Sequence, residues 1–266
     1  MNDRASTDLT PFVRRGVDAR GVVTLTLDRP QAFNSLSEGM LAALQAELDA
    51  IAVDDNVRAV VIAAGGKAFS AGHDLKEMRA RPSQAYYEDL FARCARMMLA
   101  LQKLPVPVIA RVQGIATAAG CQLVAACDLA VAAKEARFAV SGVNLGLFCS
   151  SPSVALSRNV GRKAAFEMLV TGEFNSADEA RERGLVNRVV AADALDAEVE
   201  KIVAAIVAKP RVAIALGKQL FYRQLETGTA AAYEDAGRTM ACNMMEPATL
   251  EGVQAFIEKR KPDWPV

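Results

Sequence analysis

The segment of residues 106–133 constrains the fold more than any other part of this chain. Its first part, residues 106–112, is rich in β-branched side chains and lies between Pro105 and Gly114. A short apolar run between turn-forming residues predicts a buried strand. The segment that follows Gly114 therefore begins at the end of a buried strand.

Small residues fill the turn that follows, from residue 116 to 120, and residues 122–126 predict a buried helix. Side chains of this size let another chemical group approach the backbone closely. We expect the N–H groups near Ala119 and Gly120 to lack partners, because the first N–H groups of a helix have no acceptor within it. A helix start attracts negatively charged oxygen, and fixed N–H donors stabilise an enolate or a tetrahedral intermediate. The turn is thus a candidate for half of an oxyanion hole.

A second candidate donor lies upstream, in the loop of residues 65–76. The apolar residues 57–64 predict a strand that is covered on both faces, and a Gly-rich loop and a new helix follow it. Either loop alone is more commonly an ordinary strand-to-helix connection. Two such loops in one chain favour the oxyanion interpretation.

Residue counts exclude several classes of site and partner. Lys plus Arg and Asp plus Glu number 31 each, and this zero net charge argues against a general nucleic-acid-binding protein. The five cysteines are odd in number and lack paired metal-type spacing, which predicts reduced thiols in a cytoplasmic protein. His73 is the single histidine, which removes most catalytic triads and histidine-based zinc sites. We therefore expect no metal.

The N-terminal segment also bears on location. Residues 1–16 include Asp3 and Asp8 and lack an apolar run, so they predict no secretory signal. No uninterrupted apolar run reaches the ~18 residues that a membrane helix needs. Together with the cysteines, these features predict a cytoplasmic protein without a membrane span.

The rest of the chain alternates between strand and helix patterns and then becomes helical. Further strands are predicted over residues 21–28, 129–132 and 137–140. Helices are predicted over residues 37–51, 76–81, 86–103, 153–160, 162–171 and a short stretch opened by Ser176. Residues 141–152 are small and turn-forming, which indicates an irregular wall of an active site. Four more helices follow Leu195, separated by Pro210, Gly228 and Pro247.

Five segments occur in a distinctive order along the chain. They read LDRPQAFNSL, KAFSAGHDLKEM, PVIARVQGIATAAGCQLVAACDLAVAA, TGEFNSADEARERGLVNRVV and EGVQAFIEKRKP. With them the chain resembles, over nearly its whole length, the crotonase superfamily of enoyl-CoA hydratases and isomerases. The resemblance implies an α/β fold of the ClpP/crotonase type, with a core of repeated ββα units over residues 1–194. Residues 195–266 would then be a helical trimerisation region, which implies a homotrimer or a hexamer of two stacked trimers.

The resemblance also implies a substrate and a set of site residues. Members bind acyl-CoA thioesters and stabilise an enolate with two backbone N–H groups, which correspond here to those of His73 and Ala119. No cofactor is implied beyond the coenzyme A of the substrate. Positions that match the family's CoA-binding residues are Arg29, Ala32, Phe33, Ala71, Asp74, Leu75, Lys76 and Lys259. The two lysines could equally be solvated surface charges, and Phe33 could be a core residue.

The oxyanion role that the resemblance implies for His73 uses only its backbone N–H and leaves the imidazole free. We favour an imidazole in the wall of the site, or one that faces CoA, over a catalytic base.

The chain departs from the family at both catalytic carboxylates. Hydratases use two glutamates to activate water, and their positions are Gln122 and Gly142 here. Neither residue can take or give a proton at neutral pH. Cys149 is more commonly a buried small residue than a nucleophile, and Ser150 lacks a partner base. The run of residues 142–169 looks most like the enoyl-CoA-hydratase-domain-containing protein 3 subfamily.

Three hypotheses of function follow. The first is an acyl-CoA enzyme that uses the oxyanion hole for isomerisation, hydrolysis or another enolate step, with little hydratase activity. The second is a non-catalytic acyl-CoA-binding or regulatory protein, and the third, least favoured, is a structural oligomer. If the lost carboxylates are the cause, Gln122→Glu with Gly142→Glu should recover some hydratase activity, unless Gly142 holds a backbone conformation that glutamate cannot adopt.

Overall fold

Two β-sheets form the frame of the protein in the computed structural model, which describes residues 11–264. Most of the N-terminal segment from which we expect no secretory signal, residues 1–10, lies outside the described residues. Within residues 11–264, no helix has the length and apolar character needed to cross a bilayer. The same residues contain no cluster of three His, Cys, Asp or Glu side chains that could hold a metal ion.

The larger sheet has six strands, of which all but the first pair are parallel. Its members are β1 (Val13–Val17), β2 (Val22–Leu27), β3 (Ala59–Ala64), β5 (Val108–Val112), β7 (Leu129–Ala133) and β10 (Arg188–Val190), in the order β1-β2-β3-β5-β7-β10. Every residue of β3 is buried, as the continuous apolar run predicts. This sheet therefore forms the central layer of the core.

The smaller sheet has four short strands. Its members are β4 (Ala68–Ser70), β6 (Ile115–Thr117), β8 (Arg137–Ala139) and β9 (Asn175–Ser176), in the order β4-β6-β8-β9. The chain passes from β3 to β4, from β5 to β6 and from β7 to β8 within a few residues, so the same two-strand step repeats. The sequence analysis missed β4, β6 and β9, because strands of two or three residues are too short to show a periodic pattern.

Eleven α-helices lie within the described part of the chain. They are α1 (Glu38–Ala52), α2 (Leu75–Ala80), α3 (Gln84–Lys103), α4 (Ala119–Ala126), α5 (Ser150–Asn159), α6 (Arg162–Thr171), α7 (Ala177–Glu182), α8 (Leu195–Val207), α9 (Arg211–Gln224), α10 (Thr229–Met244) and α11 (Pro247–Ile257). The Ser37 side chain caps α1, and Ser176 and Glu179 form a capping box on α7, as predicted. Helix α4 begins at Ala119, three residues before the predicted start. The α/β fold with repeated strand pairs is thus confirmed.

Helix α8 covers the outer face of the six-stranded sheet. Leu195, Val199 and Ile202 are buried there in a cluster with sheet residues such as Val61 and Ile109. The larger cluster, on the other face of the sheet, includes the buried sides of α1, α3 and α4. A domain boundary between residues 194 and 195 stays a prediction, although the first helix after it packs on the sheet.

A buried ion pair joins α9 to the core. The Lys218 ammonium donates to Asp128 Oδ2 at 2.6 Å and to the carbonyl oxygens of Leu101 at 2.8 Å and Val106 at 2.9 Å. The Tyr222 hydroxyl donates to the other Asp128 oxygen at 2.6 Å. All three ammonium hydrogens of Lys218 therefore have acceptors. Burial lowers the pKa of Lys218, and the carboxylate of Asp128 opposes that shift.

We expect Lys218→Met to lower the free energy of unfolding by about 3–5 kcal/mol, because it leaves the Asp128 charge buried without its main partner. The matched control is Arg223→Met, which removes an ion pair to Asp235 on the exposed side of the same helix and should shift the unfolding midpoint little. Urea unfolding followed by circular dichroism measures both. Equal shifts for the two variants would contradict a special role for the buried pair.

Candidate active site

A cavity of about 370 Å³ opens where the two predicted loops meet the wall of residues 141–152. Seven of the predicted site residues line it: Ala71, His73, Leu75, Ala119, Gly142, Cys149 and Ser150. The other lining residues are Met78, Phe91, Ala118, Ser141, Leu145, Leu147, Phe148, Ser151 and Pro152. Segments that are distant in the sequence therefore meet at one site, most of whose wall is apolar.

The two loops touch backbone to backbone. A Cβ atom on Gly120 would lie 2.1 Å from the carbonyl oxygen of Ser70, at the end of β4. Gly72 has a φ of +87°, and a Cβ atom there would lie 3.2 Å from the Ala119 nitrogen. Any side chain at either glycine would push the loops apart. The small residues of the two loops therefore allow close contact between the backbones, in addition to the predicted approach of a ligand.

The N–H groups of His73 and Ala119 are the two predicted oxyanion donors. Ala119 is the first residue of α4, so its N–H has no acceptor within the helix. Ala118, before it, has a φ of 49°, an uncommon conformation for a residue with a side chain. Neither N–H has a hydrogen-bond partner among residues 11–264. Two free donors therefore lie in the wall of one cavity.

Asn34 holds the first donor loop in place, and the sequence analysis missed it. Its side chain accepts from the Arg29 N–H at 2.8 Å and donates to the carbonyl oxygens of Gly65 and Ala68, each at 2.8 Å. Asn34 is fully buried and has a φ of 50°, a left-handed conformation that asparagine tolerates better than most residues. The one indication in the sequence is the position of this amide in the turn between Pro30 and the helix cap Ser37.

Main-chain hydrogen bonds also attach residues 33–36 to the loop that carries His73. The Ala71 N–H donates to the Phe33 carbonyl at 3.0 Å, and the Leu36 N–H donates to the Gly72 carbonyl at 2.7 Å. Residues 33–36 thus run beside the loop that carries His73. The first donor is positioned by a segment that does not itself line the cavity.

The His73 imidazole is oriented by two contacts. Its Nδ1 atom lies 3.2 Å from the Leu36 carbonyl oxygen, and its ring meets the edge of Phe91 with centroids 5.5 Å apart. A carbonyl only accepts, so Nδ1 carries the hydrogen and Nε2 presents a lone pair. Nε2 has no hydrogen-bond partner in the described residues. Burial lowers the pKa of His73, which makes the neutral ring the dominant form at pH 7.

The two residues predicted to stand at the positions of the family glutamates, Gln122 and Gly142, differ in their surroundings. Gln122 is 5% exposed, lies outside the cavity lining, and has no partner for its Oε1 atom within residues 11–264. Gly142 lines the cavity, and a Cβ atom there would lie 2.4 Å from the Leu147 carbonyl oxygen and 2.7 Å from Cys149 Sγ. Glutamate at position 142 therefore does not fit. The recovery of hydratase activity by Gln122→Glu with Gly142→Glu stays a prediction, and this steric contact opposes it. The φ of Gly142 is not positive, so the obstacle is the neighbouring atoms and not the backbone conformation.

Cys149 and Ser150 belong to the wall of the cavity and lie where α5 starts. Cys149 Sγ accepts from the Gly142 N–H at 3.3 Å and so occupies space that a side chain at position 142 would need. Burial raises the pKa of the Cys149 thiol, although that hydrogen bond opposes the shift, so the neutral thiol dominates at pH 7. The Ser150 hydroxyl contacts the Phe148 carbonyl at 3.4 Å and no base. All five cysteines are free, and four are buried.

The predicted CoA-binding residues fall into two groups. Ala71 and Leu75 line the cavity, whereas Arg29, Ala32, Phe33, Asp74, Lys76 and Lys259 do not. Asp74 caps α2 by accepting from the Lys76 N–H at 2.8 Å. Phe33 is 58% exposed, so its interpretation as a core residue was wrong. Lys76 and Lys259 are exposed and form no ion pair with a described residue, so their binding roles stay predictions.

Because His73 is the single histidine, the untagged protein should give one imidazole resonance in a proton NMR titration. We expect its midpoint below 6.5, since burial disfavours the charged ring. The unfolded chain binds this proton more readily, so the fold should lose stability as pH falls below 6.5. The same resonance in urea, with a midpoint near 6.5, is the control. A folded-state midpoint at or above the urea value would contradict a half-buried ring that is neutral at pH 7.

Comparison with known proteins identifies the family. Residues 18–265 match the family model described as enoyl-CoA hydratase/isomerase. The mitochondrial enoyl-CoA hydratase domain-containing protein 3 of Xenopus laevis is 47% identical over 244 residues, covering 92% of this chain and 83% of the relative. That name places the relative in mitochondria, and the cytoplasmic location of this chain stays a prediction.

Solved structures agree with the sequence comparison. A crystal structure of an enoyl-CoA hydratase from Mycobacterium smegmatis has a TM-score of 0.95 and 71% identity, covering 96% of this chain and 99% of that chain. The human domain-containing protein 3 structure has a TM-score of 0.92 and 42% identity, covering 96% of this chain and 100% of that chain. The chain therefore belongs to the enoyl-CoA hydratase/isomerase family of the crotonase superfamily.

Proposed function

We propose that the protein binds an acyl-CoA thioester with the carbonyl oxygen between the N–H groups of His73 and Ala119. The observation that carries the proposal is the pair of donors without partners in the wall of one cavity. A thioester carbonyl gains most from such donors when negative charge develops on its oxygen. The apolar wall, which includes Met78, Phe91 and Leu147, suits an acyl chain.

The reaction class that this site supports best is reversible enolate formation, as in an isomerisation. The lining of the cavity contains neither aspartate nor glutamate. Water addition needs an acid and a base beside the double bond, each worth about 10²–10⁴ in rate. We therefore propose that hydratase activity is low. The same lack of carboxylates favours, as a second candidate, an acyl-CoA-binding protein that performs no chemistry.

Two measurements test the proposal. Calorimetry should show that hexanoyl-CoA binds more tightly than the thioether S-hexyl-CoA, because the thioether lacks only the oxygen that the two N–H groups would hold. Crotonyl-CoA should lose its enoyl thioester absorbance at least about 10²-fold more slowly than with a hydratase that has both glutamates. Equal affinities for the two ligands would contradict the oxyanion hole. Rapid hydration would contradict the assigned loss of acid and base.

We further propose that the chain assembles as a trimer, or as two stacked trimers. Apolar side chains that solvent reaches in the single chain are concentrated on the last three helices: Phe221, Met240, Met244, Leu250, Val253, Phe256 and Ile257. Exposed apolar surface of this extent is typical of an interface. The acyl-CoA site and this surface lie on different parts of the chain.

Light scattering after gel filtration should therefore give three or six times the 28.3 kDa chain mass at micromolar concentration. Phe256→Lys should lower that mass, because the side chain is 85% exposed in the single chain and a charge would have to be buried in an interface. Lys201→Met, on the solvent side of α8, is the control. A monomeric wild-type mass would contradict the assembly.

A further inference from the structure

His73 is the one residue of the cavity wall with a lone pair that can accept a proton near pH 7. Of the sixteen lining residues, only His73 and Cys149 titrate in water below pH 10. Cys149 Sγ is already hydrogen-bonded to the Gly142 N–H. The Ser141 hydroxyl is 2.8 Å from that of Thr117, and Ser150 has only a carbonyl neighbour. An enolate site still needs a base, and the wall offers a single suitable atom.

The geometry of the ring suits that role. Nδ1–H donates to the Leu36 carbonyl and the Phe91 edge contact fixes the ring, so a single tautomer with a free Nε2 is held in the wall. The backbone N–H of the same residue is one of the two oxyanion donors. The carbon that carries the acidic hydrogen of a thioester is directly bonded to the carbonyl carbon, so an oxygen held by the His73 N–H would bring that hydrogen toward the part of the wall that His73 lines.

We propose that Nε2 of His73 abstracts the α-proton of the bound acyl-CoA, which reverses the preference from the sequence for an imidazole that is not a catalytic base. This inference rests on the proposed function, since it requires the thioester to occupy the oxyanion hole. The C–H electron pair becomes the Cα=C bond, the carbonyl π pair moves to the oxygen between the two N–H groups, and the imidazole becomes imidazolium. Return of the proton to Cα restores the substrate, and if the imidazolium has first exchanged this proton with solvent, the returned hydrogen comes from solvent. Its return to Cγ of a 3-enoyl thioester gives the 2-enoyl isomer.

Other groups near the site do not replace the imidazole. Gln122 lies outside the lining, and an amide oxygen is too weak a base. A serine needs a basic partner before it can act, and none lines the cavity besides His73 itself. The charged residues that follow His73 in the sequence are accounted for in other ways. Asp74 caps α2, and Lys76 is exposed. The base is therefore assigned to the ring and not to a residue beside it.

The test is α-proton exchange in D₂O. Hexanoyl-CoA incubated with the wild-type protein should gain deuterium at C2, measured by mass spectrometry at saturating ligand. His73→Gln keeps the backbone N–H and a similar side-chain volume, so it should retain hexanoyl-CoA binding while exchange slows by about 10²–10⁴-fold. Cys149→Ala is measured in parallel, because it removes the other titratable group. Persistent exchange in His73→Gln, or a loss confined to Cys149→Ala, would overturn the proposal.

A second measurement keeps the test independent of variant folding. Diethyl pyrocarbonate modifies an accessible imidazole nitrogen, and His73 is the single target of that kind in the chain. Modification of the wild type should abolish exchange, hexanoyl-CoA should protect against it, and hydroxylamine should restore the activity. Wild-type protein that binds hexanoyl-CoA but never exchanges its α-protons would refute the base alone. Failure to bind any acyl-CoA would refute the proposed function itself.

Discussion

The close approach of the α4 start to the end of β4 is the contact on which the site depends. At Gly120 the two backbones are so near that a single added carbon would lie 2.1 Å from the Ser70 carbonyl oxygen. Such contact between main chains has almost no tolerance, because backbone atoms cannot rotate away as side chains can. It brings the start of α4 beside the loop that carries His73. The N–H groups of Ala119 and His73 have no hydrogen-bond partner among residues 11–264. The donors are thus fixed before any ligand arrives, which is the condition for electrostatic stabilisation.

Rigid supports surround this contact on both sides. Asn34, fully buried, ties the segment before α1 to Gly65 and Ala68, after β3, through two hydrogen bonds, and a third from the Arg29 N–H holds the segment itself. On the far side of the core, Lys218 and Asp128 attach α9 to the junction of α4 and β7. Burial of such polar groups is costly unless every donor and acceptor is matched. Their satisfied geometry therefore specifies one arrangement of the elements around the cavity.

The fold of the protein does not fix which side chains line the cavity. The fold is that of the enoyl-CoA hydratase/isomerase family, whereas the resemblance predicts glutamine and glycine, Gln122 and Gly142, at the positions of its two carboxylates. Cys149 Sγ fills the space beside Gly142, so the packing of the wall leaves no room for a side chain at that position. His73, whose backbone N–H is a predicted oxyanion donor, also carries the side chain with the free lone pair. Fold alone therefore does not determine the reaction here.

The amino-acid sequence by itself determined the α/β class, most helices and long strands, and the two loops that line the cavity, because these follow from local hydrophobic patterns and small-residue turns. Only the tertiary structure decided which side chains share the cavity. The three-residue strands β4 and β6 have no period to detect, and the contact of Cys149 with Gly142 depends on how the wall folds back on itself. The links of Asn34 to Ala68 and of Lys218 to Asp128 span 34 and 90 residues. Contacts at such separations are set by packing, which no local pattern encodes.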